Sequence, residues 1–150
     1  MPGIRFPLLA AIFCMLLPGN ATLASEQCDL ATGYLLGSDN NLGFAVSIHR
    51  CAGFWRLELE EFGGRTASGE PLWNVLDLIE IPKIASDEVI VAQTCSIGGV
   101  EDQGIVVVAL QTEEDWYDRI RVARRADREH RRWDTVDAAT VRCWNEGAGL

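Results

Sequence analysis

The sequence predicts a mainly β fold, with an α+β arrangement as the alternative: a single antiparallel-sheet domain with one or two short helices and two disulfides. Residues 44–50 and 54–62 alternate between apolar and polar side chains, which is typical of strands with one buried face. Residues 88–95 and 104–111 are rich in β-branched side chains, which favour strands. Four cysteines follow a predicted leader, and an even number in an exported domain indicates two disulfides.

Residues 1–24 have the pattern of a secretory signal peptide. A positive start at Arg5 precedes an apolar stretch at 6–17, and a Pro-Gly break and small residues follow it. Twelve apolar residues are too few to cross a bilayer, which takes about 20. We therefore expect cleavage after Ala24, no transmembrane segment afterwards, and one periplasmic or secreted domain at 25–150.

The four cysteines of the predicted mature chain are widely spaced, at Cys28, Cys51, Cys95 and Cys143. The chain has no Cys-x-x-Cys and no zinc-finger spacing, so the sequence predicts structural disulfides rather than a metal site or a redox pair. Spacing alone leaves all pairings open. We favour Cys28–Cys51 and Cys95–Cys143 because each bond would join neighbouring segments.

The first half of the mature chain predicts a turn cluster at 37–43, followed by a β-hairpin. The two alternating runs flank a short break that contains Gly53, as hairpin strands do. A glycine-rich loop at 63–71 comes next. Residues 72–81 fit both a helical turn and an edge strand; we favour the strand, which Pro82 ends.

The run 104–111 predicts a central strand. Val106, Val107 and Val108 are consecutive, so both faces of the strand are apolar. A second sheet or a short helix must therefore cover the second face. The chain is expected to end with a short strand that holds Cys143.

Residues 112–132 allow two interpretations. Thr112 followed by three acids is typical of a helix start, and a single helix could continue through Arg132. Its apolar stripe would end at Ala123 and then present Asp127, so a long helix would lack core contacts. We favour a short helix at 112–118 followed by a hairpin, with strands at 119–126 and 131–136 and a turn at 127–130.

Seven arginines lie within residues 119–133 against Asp127 and Glu129, which gives a local charge of +5 in a chain of formal charge −9. Guanidinium groups bind phosphate and carboxylate in a bidentate manner, and a neighbouring tryptophan can add stacking. One interpretation is a contact surface for a protein or an envelope anion. The predicted contact residues are Arg121, Arg124, Arg125, Arg128, Arg131 and Trp133.

The other interpretation of the arginines, and the one that we favour for this segment, is internal compensation. The segment just before them holds four acids at 113–118, and neighbouring strands or turns could pair those acids with the arginines. Without Arg5 the formal charge of the chain is −10, so a polyanion would be repelled by most of the surface. Nucleic acid is therefore not an expected partner.

Motifs for other chemistries are incomplete. His49 and His130 lie in no nucleophile motif, and Glu70 stands where a phosphate loop needs lysine. We expect no metal and no cofactor.

The alternative to a binding protein is a carboxylate-based envelope hydrolase acting on a glycan. Its candidate residues are Glu58, Glu60 and Glu61, or Glu113, Glu114 and Asp115.

The sequence thus favours an exported, non-enzymatic protein that binds another protein or an envelope anion.

Five tryptophans are also present, and this residue is common both in cores and at binding hot spots. Trp144 follows Cys143 directly. We favour packing of its ring against the disulfide, with partial exposure as the alternative.

Overall fold

The computed structural model describes residues 27–37 and 43–148. The predicted signal peptide at 1–24 and most of the turn cluster at 37–43 lie outside these residues. The described residues form three antiparallel sheets and one short 3-10 helix, so the predicted mainly β fold with antiparallel sheets and two disulfides is confirmed. Within the same residues, no helix has the length and apolar character needed to span a bilayer.

The strands follow one another along the chain as β1 (Asp29–Leu36), β2 (Phe44–Arg50), β3 (Phe54–Arg65), β4 (Pro71–Pro82), β5 (Glu88–Ala92), β6 (Cys95–Ile97), β7 (Val100–Glu101), β8 (Ile105–Leu110), β9 (Trp116–Tyr117), β10 (Ile120–Asp127), β11 (Arg132–Thr135) and β12 (Val141–Trp144). Sheet 1 has the order β1-β2-β3-β4, sheet 2 the order β11-β10-β8-β5, and sheet 3 the order β7-β6-β12-β9. The 3-10 helix spans Ala138–Thr140, directly before β12.

Sheet 1 contains the predicted hairpin. Strands β2 and β3 pair with Ile48 opposite Leu57, and Gly53 in the connection has a φ of 100°, a conformation that favours glycine. The segment 72–81 is a strand, as favoured, and lies within β4. Strand β1 was not predicted, because a bulge at Ala31 breaks its register with β2 and no clean alternation is left in the sequence.

Strand β8 lies at the centre of sheet 2, and both its faces are covered. Val106 and Val108 are fully buried in a core shared with sheet 1, while Val107 is fully buried in a second core shared with sheet 3. Sheet 2 is therefore the middle of three layers. Burial of each valine contributes about 1.5–3 kcal/mol to folding, so the central strand carries much of the hydrophobic stabilisation.

The two disulfides are Cys28–Cys51 and Cys95–Cys143, which are the favoured pairings. Cys95 and Cys143 lie directly opposite each other in β6 and β12, so that bond crosses one strand ladder of sheet 3. Cys28 and Cys51 adjoin the paired ends of β1 and β2. Each bond therefore holds two adjacent strands together.

The predicted helix at 112–118 is wrong. Residues 113–115 form bends, and Trp116 and Tyr117 form β9, which pairs with β12. The Thr112 hydroxyl does accept a hydrogen bond from the Glu114 backbone N–H at 3.1 Å, as a cap would. Pairing with the edge of sheet 3 replaces helical hydrogen bonds in this segment, because tertiary contacts override local preference.

The hairpin that follows is confirmed. Strands β10 and β11 pair antiparallel with Asp127 opposite Arg132, and the turn comprises the residues between them. The Asp127 carboxylate accepts from the backbone N–H groups of Glu129 and His130 at 3.0 and 3.1 Å, which closes the turn. Arg131 adopts a φ of 59° at the end of the turn.

Candidate functional site

Four of the seven arginines in residues 119–133 form ion pairs with carboxylates of described residues. The shortest contacts are Arg121 Nε to Glu88 Oε1 at 2.5 Å, Arg125 Nε to Asp102 Oδ2 at 2.6 Å, Arg131 Nη2 to Glu61 Oε2 at 2.6 Å and Arg132 Nε to Asp134 Oδ1 at 2.9 Å. With these four carboxylates counted, the charge of +5 along the segment falls to +1. The positive run in the sequence is therefore largely neutralised in the fold.

The pair between Arg121 and Glu88 has the strongest geometry. Arg121 Nη2 also donates to Glu88 Oε2 at 2.8 Å, so the contact is bidentate. The side-chain hydrogen bond from Arg121, followed by one from the Ala85 backbone, lowers the pKa of Glu88 to about 2. Arg121 is thus engaged within sheet 2, since its partner lies at the start of β5.

The remaining members of the predicted contact set lie in different environments. Arg124 is half-buried and donates to the Ala123 carbonyl at 3.0 Å. Arg128 is exposed at the turn and forms no ion pair with a described residue. The Trp133 side chain lies in the core between sheets 1 and 2 with a relative exposure of 8%, so its ring is not presented for stacking. Its backbone N–H donates to Asp77 Oδ2 at 2.7 Å.

An open cleft of about 1210 Å³ lies beside the hairpin turn. Arg125 and Arg128 contribute positive charge to its lining, and Glu101, Asp102, Asp127 and Glu129 contribute negative charge. Because acids outnumber arginines, the cleft is not a one-signed anion site.

A histidine and an aspartate interact at the wall of this cleft. Asp127 Oδ2 lies 2.6 Å from His130 Nδ1. Backbone and side-chain hydrogen bonds from His130 lower the pKa of Asp127 to about 2, and the bond to Asp127 raises the pKa of His130. Asp127 also holds the turn, so this carboxylate has a structural role.

The acids of 113–118 do not compensate the arginines, contrary to the pairing considered from the sequence. Glu113, Glu114, Asp115 and Asp118 are all exposed, and none forms an ion pair with a described residue. The arginines instead bind carboxylates from β3, from β11, from the start of β5 and from the residue after β7. Sequence proximity did not predict three of these four partners, because Glu88, Asp102 and Glu61 lie 23 or more residues from the arginines that they bind.

Two tryptophans form an exposed pair at the edge of sheet 3. Trp116 and Trp144 lie opposite each other in β9 and β12, with ring centroids 5.0 Å apart and ring planes at 82°. Their relative exposures are 36% and 43%. The Arg142 guanidinium lies 4.7 Å from the Trp116 ring centroid. Trp144 is partly exposed, which is the alternative to the favoured packing on the disulfide, and its ring contacts the Trp116 ring.

A buried asparagine holds this tryptophan pair in place. Asn145 Nδ2 donates to the carbonyls of Thr112 and Glu114 at 2.9 and 3.0 Å, and its backbone N–H donates to the Asp115 carbonyl at 2.8 Å. The Gly147 N–H donates to Asn145 Oδ1 at 3.1 Å. The segment leading into Trp116 is therefore fixed against the residue that follows Trp144. Asn145 was not predicted as a site residue, because nothing in the neighbouring sequence indicates a buried polar side chain at this position.

Two of the carboxylates considered for hydrolysis on sheet 1, Glu58 and Glu60, alternate with the buried Leu57 and Leu59 and therefore lie on the outer face of the sheet. The Ser47 hydroxyl donates to Glu60 Oε2 at 2.6 Å, and His49 Nε2 lies 3.2 Å from Glu58 Oε2. Glu61 is paired with Arg131. Within the described residues, no group of three or more His, Cys, Asp or Glu side chains has the geometry to hold a metal ion.

Comparisons of the chain with known protein families, with curated proteins and with solved structures give no match.

Proposed function

We propose that this chain is an exported, non-enzymatic interaction protein, and that the Trp116–Trp144 pair is the centre of its contact surface. The observation that carries the proposal is the exposure of two adjacent tryptophan rings on a rigid part of the fold. Tryptophan is the residue type most enriched at binding hot spots, because a large ring buries much apolar area at little entropic cost.

The setting of the two rings supports this proposal. Each ring projects from a paired strand, and Asn145 ties the segment before Trp116 to the residue after Trp144. The Cys95–Cys143 bond fixes β12 to β6 just before Trp144. A surface that is ordered before binding loses less entropy when a partner docks on it.

Export is proposed from the leader-like pattern at 1–24 together with the two disulfides. Disulfides persist in oxidising compartments such as the bacterial periplasm and the extracellular space. Both bonds join adjacent strands of sheets, so they serve as structural links between those strands.

The second candidate surface is the arginine hairpin, which is the hairpin of β10 and β11 with the turn between them. The open cleft beside this turn supports it as a binding surface. Arg128 lines this cleft, is exposed and forms no ion pair with a described residue, so it is available to an anionic group. The mixed charge of the lining argues for an acidic side chain of a protein rather than a polyanion as its partner.

A carboxylate hydrolase is less well supported by the geometry. Such an enzyme needs two carboxylates that face each other across a cleft and are free to exchange protons. Asp102 and Asp127 line the cleft, but each is held by a cationic or hydrogen-bonding neighbour, Arg125 and His130 respectively. Glu58 and Glu60 are engaged by His49 and Ser47 on an open sheet face.

The test is a pull-down from envelope extract with three forms of the mature protein. These are the wild type, W116A/W144A and R124S/R125S/R128S. We expect partners captured by the wild type to be lost with the tryptophan variant and retained with the arginine variant, provided that circular dichroism shows both variants folded. Identical partner sets from the wild type and the tryptophan variant would contradict the proposal. Loss only with the arginine variant would assign the contact to the hairpin.

A further inference from the structure

We infer that the partner presents a cationic segment, bearing arginine or lysine side chains, to the tryptophan pair. This inference rests on the proposed function and names the chemistry of its partner. We call the surface the acidic–aromatic patch. It consists of Trp116 and Trp144 with five exposed carboxylates, those of Glu113, Glu114, Asp115, Asp118 and Glu146.

The charge of the patch is the first argument. None of its five carboxylates forms an ion pair with a described residue, whereas four carboxylates elsewhere are taken up by the arginine hairpin. Arg119 and Arg142 are the nearby cations in sequence, so the local charge is −3. A cationic partner would be attracted to this surface, and an anionic partner would be repelled.

The position of the carboxylates is the second argument. The backbone carbonyls of Glu114 and Asp115 accept hydrogen bonds from Asn145, which directly follows Trp144. Three of the acids therefore lie in a segment that is held beside the rings. Aromatic faces attract cations, and carboxylates form charge-assisted hydrogen bonds with them, so a cationic side chain is the partner that both kinds of group in the patch favour.

One ring of the pair already forms a cation–π contact with a guanidinium of the same chain. Arg142 lies over the Trp116 ring at 4.7 Å from its centroid. Trp144 has the larger exposed fraction of the two rings, and no described cation lies over it. The inferred contact places a cationic side chain of the partner on Trp144, as Arg142 is placed on Trp116.

The experiment measures binding of a hexa-arginine peptide to the mature, oxidised protein by isothermal titration calorimetry at low salt. Two variants remove three negative charges each. The patch variant is E113Q/E114Q/D115N. The control variant is D29N/E70Q/E101Q, whose exposed carboxylates lie in β1, directly before β4, and in β7 at the opposite edge of sheet 3. Both variants have the same net charge, so they separate a local site from general attraction to an acidic protein. We expect at least a tenfold loss of affinity in the patch variant and less than a threefold loss in the control variant.

The role of the ring is tested with W144A and W144F. We expect W144A to weaken hexa-arginine binding at least fivefold, and W144F to retain most of it because a phenyl face still accepts a cation. Hexa-glutamate serves as the probe of opposite charge and should not bind.

Equal weakening by the two triple variants, or unchanged binding by W144A, would overturn the inference. So would an affinity for hexa-glutamate equal to that for hexa-arginine. If hexa-arginine does not bind while the pull-down still shows partners that depend on the tryptophans, the cationic inference fails and the proposed function stands. If neither depends on the tryptophans, both fail.

Discussion

Substitution of Asn145 by alanine should destabilise the fold more than any other single polar change near the patch. Asn145 is the buried polar residue of the described chain, with 6% exposure. Its side chain takes part in three hydrogen bonds: with the carbonyls of Thr112 and Glu114, and with the N–H of Gly147. Alanine removes all three and leaves two carbonyls without a donor.

The size of the effect follows from these bonds. A net contribution of about 1 kcal/mol for each hydrogen bond gives a loss of about 2–3 kcal/mol in the free energy of unfolding, since water can partly replace the donor. For a domain of this size, each kcal/mol lowers Tm by about 4 °C. N145A should therefore melt about 8–12 °C below the wild type.

The assay is thermal unfolding followed by circular dichroism, with tryptophan fluorescence recorded in parallel. N74A is the matched control, because Asn74 is exposed on β4 and its side chain makes no hydrogen bond with a described residue. The control should melt within about 2 °C of the wild type, as exposed substitutions usually do. A drop of less than about 2 °C for N145A would refute the argument that these hydrogen bonds hold the segment.

Three further predictions concern the core, a disulfide and pH. V107A should lower the free energy of unfolding by about 2 kcal/mol, because it deletes two methyl groups from a fully buried side chain. A denaturant titration measures this change. A loss below about 0.5 kcal/mol would contradict the packing of β8 between two layers. Replacement of Cys95 and Cys143 by alanine should cost about 2–5 kcal/mol by the same titration, and unchanged stability would contradict a structural role. The lowered pKa of Asp127 means that its stabilising contribution is present above its ordinary pKa of 3.8 and is lost as pH falls towards about 2. The raised pKa of His130 gives a pH dependence of stability with the opposite sign: the stabilising contribution of His130 is present below pH 6.5 and is lost as pH rises through the raised pKa. In D127N, an NMR titration should show a lower pKa for His130 than in the wild type. An unchanged pKa would exclude the interaction between the two side chains.

The features that the sequence predicted well are those with a local signal. Three consecutive valines require apolar surroundings on both sides, so Val106 to Val108 predicted a covered central strand. Alternation around Gly53 predicted the hairpin of β2 and β3 together with its inward face. Consecutive pairing of the cysteines followed from the expectation that neighbouring segments lie side by side.

Other features depend on contacts between distant segments. Thr112 and its acids resemble a helix start, and the hydroxyl does cap locally, but pairing of Trp116 with Trp144 across sheet 3 gives the segment a strand instead. The carboxylate partners of the arginines are 23 or more residues away in three of the four pairs, so nearby acids were misleading.

Both disulfides join cysteines that follow each other among Cys28, Cys51, Cys95 and Cys143, and if the chain is exported as proposed, this order has a consequence for its assembly. In a chain that emerges N-terminus first, Cys51 appears when Cys28 is the only mature cysteine already outside, so the correct partner is also the first one available. All four strands of sheet 1 precede Cys95, so that layer can close before the other two are complete. Cys95 must then wait for Cys143, 48 residues later in the sequence. The second bond therefore forms only after every strand of sheets 1 and 2 has emerged, and it closes last on the layer that carries the tryptophan pair.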